Sequence, residues 1–130
     1  MTVDSGACDT VIPTEMCAHI PVAEGSRRKD NLEYEVANGE TIKNEGERHC
    51  LLMTMGANTP KKIVFQVAGI HKALLSSSRS ADAGFDTYLG LHGGNLIDTV
   101  TGELVPIIRR GNLYVMRCWI KADPGFPRQE

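Results

Sequence analysis

The sequence predicts an all-β protein, a barrel or sandwich with one short helix. Three observations lead there. Strand-like runs recur about every 8–12 residues. Turn signals built from Gly, Asn and Pro separate them, at Asn38-Gly39, Gly56 to Pro60, Gly93-Gly94-Asn95, Thr101-Gly102 and Arg110-Gly111-Asn112. Apolar residues on either side of a turn alternate, as Ile63, Phe65 and Val67 do, which is the half-buried strand pattern.

In chain order, Thr2-Val3-Asp4 reads as the end of a strand entering a tight turn at Ser5-Gly6, and Thr10 to Pro13 as a short strand. Thr14 to His19 reads as a loop or single helical turn, and the charged run 24–31 (EGSRRKDN) as a solvated connection. YEVANGETI, 34–42, carries Asn-Gly between strand-like arms, the strongest short-range hairpin signal. A second turn is expected at 43–47 (KNEGE), where Gly46 is free to take positive φ. Strands at 49–55 and 62–67 flank the 56–60 turn as a meander. Leu74-Leu75 then leads into the one predicted helix, with serines from Ser76 suited to the N-cap and Gly84 to the stop. Strands are expected at 85–91, 96–100, 103–108 and 113–120, followed by a tail containing Pro and Gly.

The length, 130 residues, suits one domain over 1–120 with a flexible tail at 121–130. A chain of this size buries roughly two thirds of its unfolded surface, so a core without staples is feasible. Net charge −2 and 5% aromatic residues argue against a nucleic-acid partner, which requires a basic surface and stacking rings. No apolar run approaches the ~20 residues of a membrane span, and no signal peptide is evident, so no membrane partner is expected. Cys8, Cys17, Cys50 and Cys118 are scattered; free thiols in a reducing, intracellular (cytoplasmic) compartment are the simpler reading. His19, His49, His71 and His92 make no zinc-module spacing with them, so neither a metal nor another cofactor is expected.

The chemistry-bearing stretch is Asp4-Ser5-Gly6-Ala7. A carboxylate at a strand-to-turn junction is fixed by the scaffold yet exposed at its tip. Ser5 can lock the turn through neighbouring backbone, and Gly6 and Ala7 leave room for a substrate backbone. The loop resembles the Asp-Thr/Ser-Gly-Ala active-site loop of aspartic peptidases. Further along, Thr10 to Pro13, the 34–42 hairpin, Leu74-Leu75-Ser76 with the helix after it, and Gly111-Asn112-Leu113-Tyr114-Val115 stand in an order similar to that of the retropepsin family, its copia-type retrotransposon branch above all. The likeness covers nearly all of 1–120.

That resemblance implies a closed or partly open barrel and an aspartic endopeptidase that cuts polypeptide within a retroelement polyprotein. Asp4 is the catalytic residue, and Ser5, Gly6 and Ala7 form its loop. Peptide hydrolysis of this kind needs two carboxylates sharing one proton: the ionised one takes a proton from water while the protonated one bonds the carbonyl oxygen. One chain has one such motif, so catalysis implies a homodimer with two Asp4 side chains on the two-fold axis. A flap is expected at 43–48, with Asn44, Glu45 and Gly46 touching substrate; its charge implies a looser lid than the Gly- and Ile-rich retroviral flaps. Asp9 either contacts substrate from the loop edge or is a solvated surface acid, and Cys8 is a small packed residue rather than a nucleophile. Arg27-Arg28-Lys29 and Arg109-Arg110 read as solvated. Trp119, on one face with Leu113, Val115 and Arg117, reads as a core or dimer-sheet anchor. Ser76 stands where retroviral relatives carry Gly. With little strand before Asp4, the dimer is expected to depend on Leu113 to Ile120. The alternative is an inactive domain of the same fold serving dimerisation or peptide binding.

Overall fold

A computed structural model describes residues 1–56 and 59–125. Thirteen elements follow in order: β1 (Thr2–Asp4), β2 (Val11–Pro13), α1 (Ser26–Lys29), β3 (Glu33–Glu35), β4 (Thr41–Thr54), β5 (Lys61–Ala68), β6 (Leu74–Ser76), α2 (Ser77–Asp82), β7 (Phe85–Gly90), β8 (Gly93–Asp98), β9 (Leu104–Arg110), β10 (Leu113–Met116) and β11 (Cys118–Ala122). Strand accounts for 51% and helix for 8%, which fixes the all-β class. The strands run side by side as β11-β4-β5-β2-β6-β1-β10-β9-β8-β7, with β3 paired on β4. The sheet does not close as a barrel; β11 and β7 end the run, and β3 is a further edge strand beside β4.

Strict alternation makes β4 the spine of the molecule. Asn44, Gly46, Arg48, Cys50, Leu52 and Thr54 are buried while the residues between them are not. Cys50 and Leu52 join Ile12, Phe65, Val67, Leu75, Val105, Ile107 and Met116 in one apolar core. Burying such side chains contributes roughly 1.5–3 kcal/mol each. β1 is the strand that ends in Asp4. It lies between β6, its parallel neighbour, and β10, its antiparallel one; β10 meets it at Thr2, and Asp4 at its C-terminal end pairs with Ser76 of β6.

The Asn38-Gly39 hairpin forms as read: Tyr34 pairs with Ile42, and Gly39 takes φ +84° in the turn. The helix also forms as read. Ser76 caps it by accepting the Arg79 N–H at 3.2 Å, and Gly84 follows at φ +92°. Other expectations need correction. No turn interrupts 43–47; the segment is continuous β4. Gly46 does take positive φ (+131°), but inside a β-bulge where the register slips between Asn44 and Gly46. The Asn44 side chain accepts the Gly46 N–H at 2.9 Å, which satisfies the donor that the bulge frees. The 24–31 connection contains a second short helix, α1. The turn expected at 93–95 falls at Leu91-His92, because Gly90 and Gly93 pair as the last rung of β7 and β8. The strand expected over 113–120 divides at Arg117: β10 pairs with β9 and β1, while β11 crosses to β4. That division leaves Trp119 on an edge strand, 63% exposed and outside the core. Residues 57–58 of the expected 56–60 turn and 126–130 of the expected tail lie outside the described residues; β11 itself runs on to Ala122. Among the described residues no helix is long and apolar enough to cross a membrane.

Candidate active site

Asp4 ends β1 level with Ser76, its register partner on β6. Its Oδ1 accepts the Gly6 N–H at 2.8 Å, so the carboxylate bonds the turn that follows it. A Cβ at Gly6 would sit 3.3 Å from that oxygen, a tight approach that glycine avoids. Ser5 and Gly6 are exposed, and Asp4 is half-buried. Ser76, with no exposure at all, fixes the rest of the loop. Its Oγ donates to Ala7 O at 2.7 Å, and its N–H donates to Thr10 Oγ1 at 3.1 Å. The Ser80 hydroxyl returns to Ser76 O at 2.9 Å. One side chain thus caps α2 and clamps the Asp4 loop, work a glycine at this position has no atoms to do.

A cleft of about 230 Å3 opens at Asp4. Gly6, Ala7, Cys8, Asp9 and Val11 form one wall, Glu33 to Val36 the other, and Ile70 and Leu74 complete it. Among the described residues β3 pairs with β4 along one edge only, and no strand there uses the backbone donors and acceptors of its second edge.

Asp9 turns out to be neither a solvated acid nor a free substrate contact. It is 3% exposed, and three donors take its oxygens. Arg27 Nε and Tyr34 OH reach Oδ2 at 2.7 and 2.8 Å, and Arg79 Nε reaches Oδ1 at 3.0 Å. Burial alone raises its pKa. The hydrogen bonds from Arg27 and Tyr34 and the charges of Arg27 and Arg79 outweigh that, holding it below the usual carboxylate value. For Tyr34, burial and the adjacent Asp9 push the phenol pKa upward, so it stays a donor. Arg27 is therefore not a solvated cation but the link between α1 and the Asp4 loop.

The chain of polar contacts continues inward. Asn44 Nδ2 donates to Tyr34 OH at 3.0 Å and to Gln66 Oε1 at 2.9 Å. Gln66 reaches Glu47 at 3.3 Å, and Glu47 meets His49 Nε2 at 2.9 Å. The Asp4 loop, the β3 hairpin, β4, β5 and both helices are therefore joined through side chains.

The residues expected at a flap tip lie elsewhere. Asn44 is buried in the polar network, Gly46 packs on Val22 and Ala23, and Glu45 accepts a hydrogen bond from Thr14 at 2.8 Å. None of the three lines the Asp4 cleft. Arg48 is buried, with its guanidinium donating to Ile20 O and Thr14 O at 2.8 and 3.1 Å. The hairpin that does face Asp4 is β3–β4. Its signal, Asn38-Gly39, was in the sequence and was the stronger of the two turn signals there. No family model, curated protein or solved structure matches this chain. Among the described residues no three His, Cys, Asp or Glu side chains gather in a way that holds a metal ion. The site is a carboxylate at the end of β1, in a cleft whose far wall is Glu33 to Val36 of the β3 hairpin.

Proposed function

We propose that this chain is one half of an aspartic endopeptidase of the retropepsin type, with Asp4 as the catalytic residue and Ser5, Gly6 and Ala7 as its loop. The observation that carries the proposal is the Asp4 carboxylate, held by the Gly6 N–H at 2.8 Å, across a cleft from the free edge of β3. An extended polypeptide can pair with that edge as an added strand, which brings a peptide carbonyl over Asp4. Two carboxylates about 3 Å apart hold a single proton between them, so one can activate water while the other bonds the carbonyl oxygen (this family is the standard illustration). The second carboxylate is not Asp9, whose oxygens are filled by Arg27, Tyr34 and Arg79. It is Asp4 of a second copy, across a two-fold axis. The β3–β4 hairpin, with its tip at Val36 to Glu40, serves as the lid.

Subunit mixing tests this reading. Wild-type protein at fixed concentration is titrated with Asp4→Asn protein while cleavage of a peptide library is followed between pH 4 and 7. A shared site predicts that activity falls as inactive heterodimers form. Activity that ignores the added Asp4→Asn protein assigns the chemistry to one chain, and Glu33 or Glu35 across the cleft is then the partner acid. Cleavage that survives in pure Asp4→Asn protein removes Asp4 from the chemistry. No cleavage at all leaves a peptide-binding domain.

A further inference from the structure

A larger cavity, about 450 Å3, shares only Asp9 with the Asp4 cleft. Four successive residues of β5 border it, Lys61, Lys62, Ile63 and Val64. Side chains along a strand alternate between faces, so four in a row can border one cavity only where it runs along the strand's edge. The pairing agrees. β4 covers one edge of β5 from Lys61 onward, but β2 covers the other only from Gln66 to Ala68. Gln66 N–H points to that second side, donating to Thr10 O at 3.0 Å. Residues two and four positions earlier share its direction, so the backbone groups of Val64 and Lys62 are aimed into the cavity. Among the described residues no strand pairs with them there.

The remaining walls suit a peptide. Leu75, Leu96 and Met116 are buried and form an apolar floor. Four Lys or Arg side chains line the cavity (Arg27, Lys61, Lys62, Arg79) against two acids (Asp9, Glu47). Arg27 and Arg79 are held by Asp9, and Lys61 by Glu103 at 3.2 Å. Lys62 is exposed and takes part in none of the ion pairs among the described residues.

We infer that this slot binds an extended peptide as an added strand beside the first half of β5. Two apolar side chains, two residues apart, would point inward to Leu75, Leu96 and Met116, and the acidic residue between them would face Lys62. The volume is that of a ligand site, and regularly spaced backbone donors and acceptors are satisfied best by another backbone. The inference is independent of the peptidase reading, since it uses neither Asp4 nor a second copy.

The test uses fluorescein-Gly-Thr-Leu-Glu-Leu-Thr-amide as probe. Anisotropy and amide exchange are read on both the wild-type and the Asp4→Asn protein, so that hydrolysis does not intervene. The expected result is saturable binding with slowed exchange at Lys62 and Val64. Methylating alternate amide nitrogens of the probe should weaken binding roughly tenfold in one frame and little in the other, because only one edge of the probe pairs. Val64→Pro, which deletes a donor aimed into the slot and leaves the β4 ladder intact, should cost a similar factor; should that variant not fold, the methylated probes decide. Replacing the probe's Glu by Lys should weaken binding on wild type and restore it on Lys62→Glu. Absence of binding, indifference to methylation in both frames, or protection at Glu33 to Val36 instead of β5 overturns the inference. So does displacement of the probe by decanoate with no protection at Val64, which would make the slot a site for small amphiphiles.

Discussion

At Asp9, buried charge and site geometry meet in a single side chain. It is 3% exposed, while Arg27 and Arg79 keep 27% and 48% of their side-chain surface in water. Asp9→Asn strands two guanidinium groups that can still reach solvent, so the cost lies at the low end for a broken buried pair, about 3 kcal/mol; urea unfolding at pH 7 measures it. The pH dependence follows from the lowered pKa. The unfolded chain binds the proton more readily than the folded one, so this contribution to stability is complete above the ordinary value of 3.8 and fades as pH falls through the lower folded value. The acid limb of the melting-temperature profile should therefore lie partly below pH 4, and Asp9→Asn should remove that part. Ser76 carries a second residue-scale expectation. Ser76→Ala loses the cap of α2, the donor to Ala7 O and a partner for Ser78. The expected stability loss is about 2 kcal/mol, with kcat reduced more than KM because the Asp4 loop is released from its clamp. Equal losses in kcat and KM, or none, would make Ser76 a helix cap only.

In the proposed peptidase the β3–β4 hairpin serves as the lid. Tyr34 OH joins it to the Asp4 loop by donating to Asp9 and accepting from Asn44. Tyr34→Phe should cost about 1–2 kcal/mol and raise KM by loosening the lid's base; unchanged KM would uncouple hairpin and site. Gly46→Ala acts differently. A Cβ there would lie 2.5 Å from Val22 and 2.6 Å from Ala23 O at a φ of +131°, so about 3 kcal/mol of stability should be lost. The contrast explains what could be read in advance. The Asp4 turn, the Asn-Gly hairpin and the Ser76-to-Gly84 helix were legible because each is encoded within a few neighbouring residues. Asp9's partners were not, because Arg27, Tyr34 and Arg79 arrive from 18, 25 and 70 residues away. Gly46 was misread for the same reason. Positive φ was correctly expected, but whether it makes a turn or a bulge depends on Ala23, which bridges the neighbouring Glu47 from a distant loop. Of the two readings of Trp119, core or dimer-sheet anchor, the core one fails because the break at Arg117 is set by β11 pairing with β4, a long-range choice that no local pattern encodes.

On the scale of the whole molecule, the strand order runs from β11 to β7 without closing, and of the two acids on the Asp4 loop Asp9 is held by Arg27 and Arg79, so the proposed dyad calls on Asp4 of a second copy. If two copies must meet to complete the site, mass action dictates the kinetics. Well below the dissociation constant, dimer concentration rises with the square of total protein, so doubling the enzyme should quadruple the initial rate. Well above it, the rate becomes linear. A peptide bound across both halves would favour the dimer by linkage, so pre-incubation with a non-cleavable substrate analogue should shift the crossover to lower protein concentration. Sedimentation under the same conditions should give the same midpoint as the kinetic crossover. Rates linear in protein across the whole range, with only monomer sedimenting, would overturn the shared site, and the second acid that the hydrolysis needs would then have to come from the same chain, from Glu33 or Glu35 across the cleft.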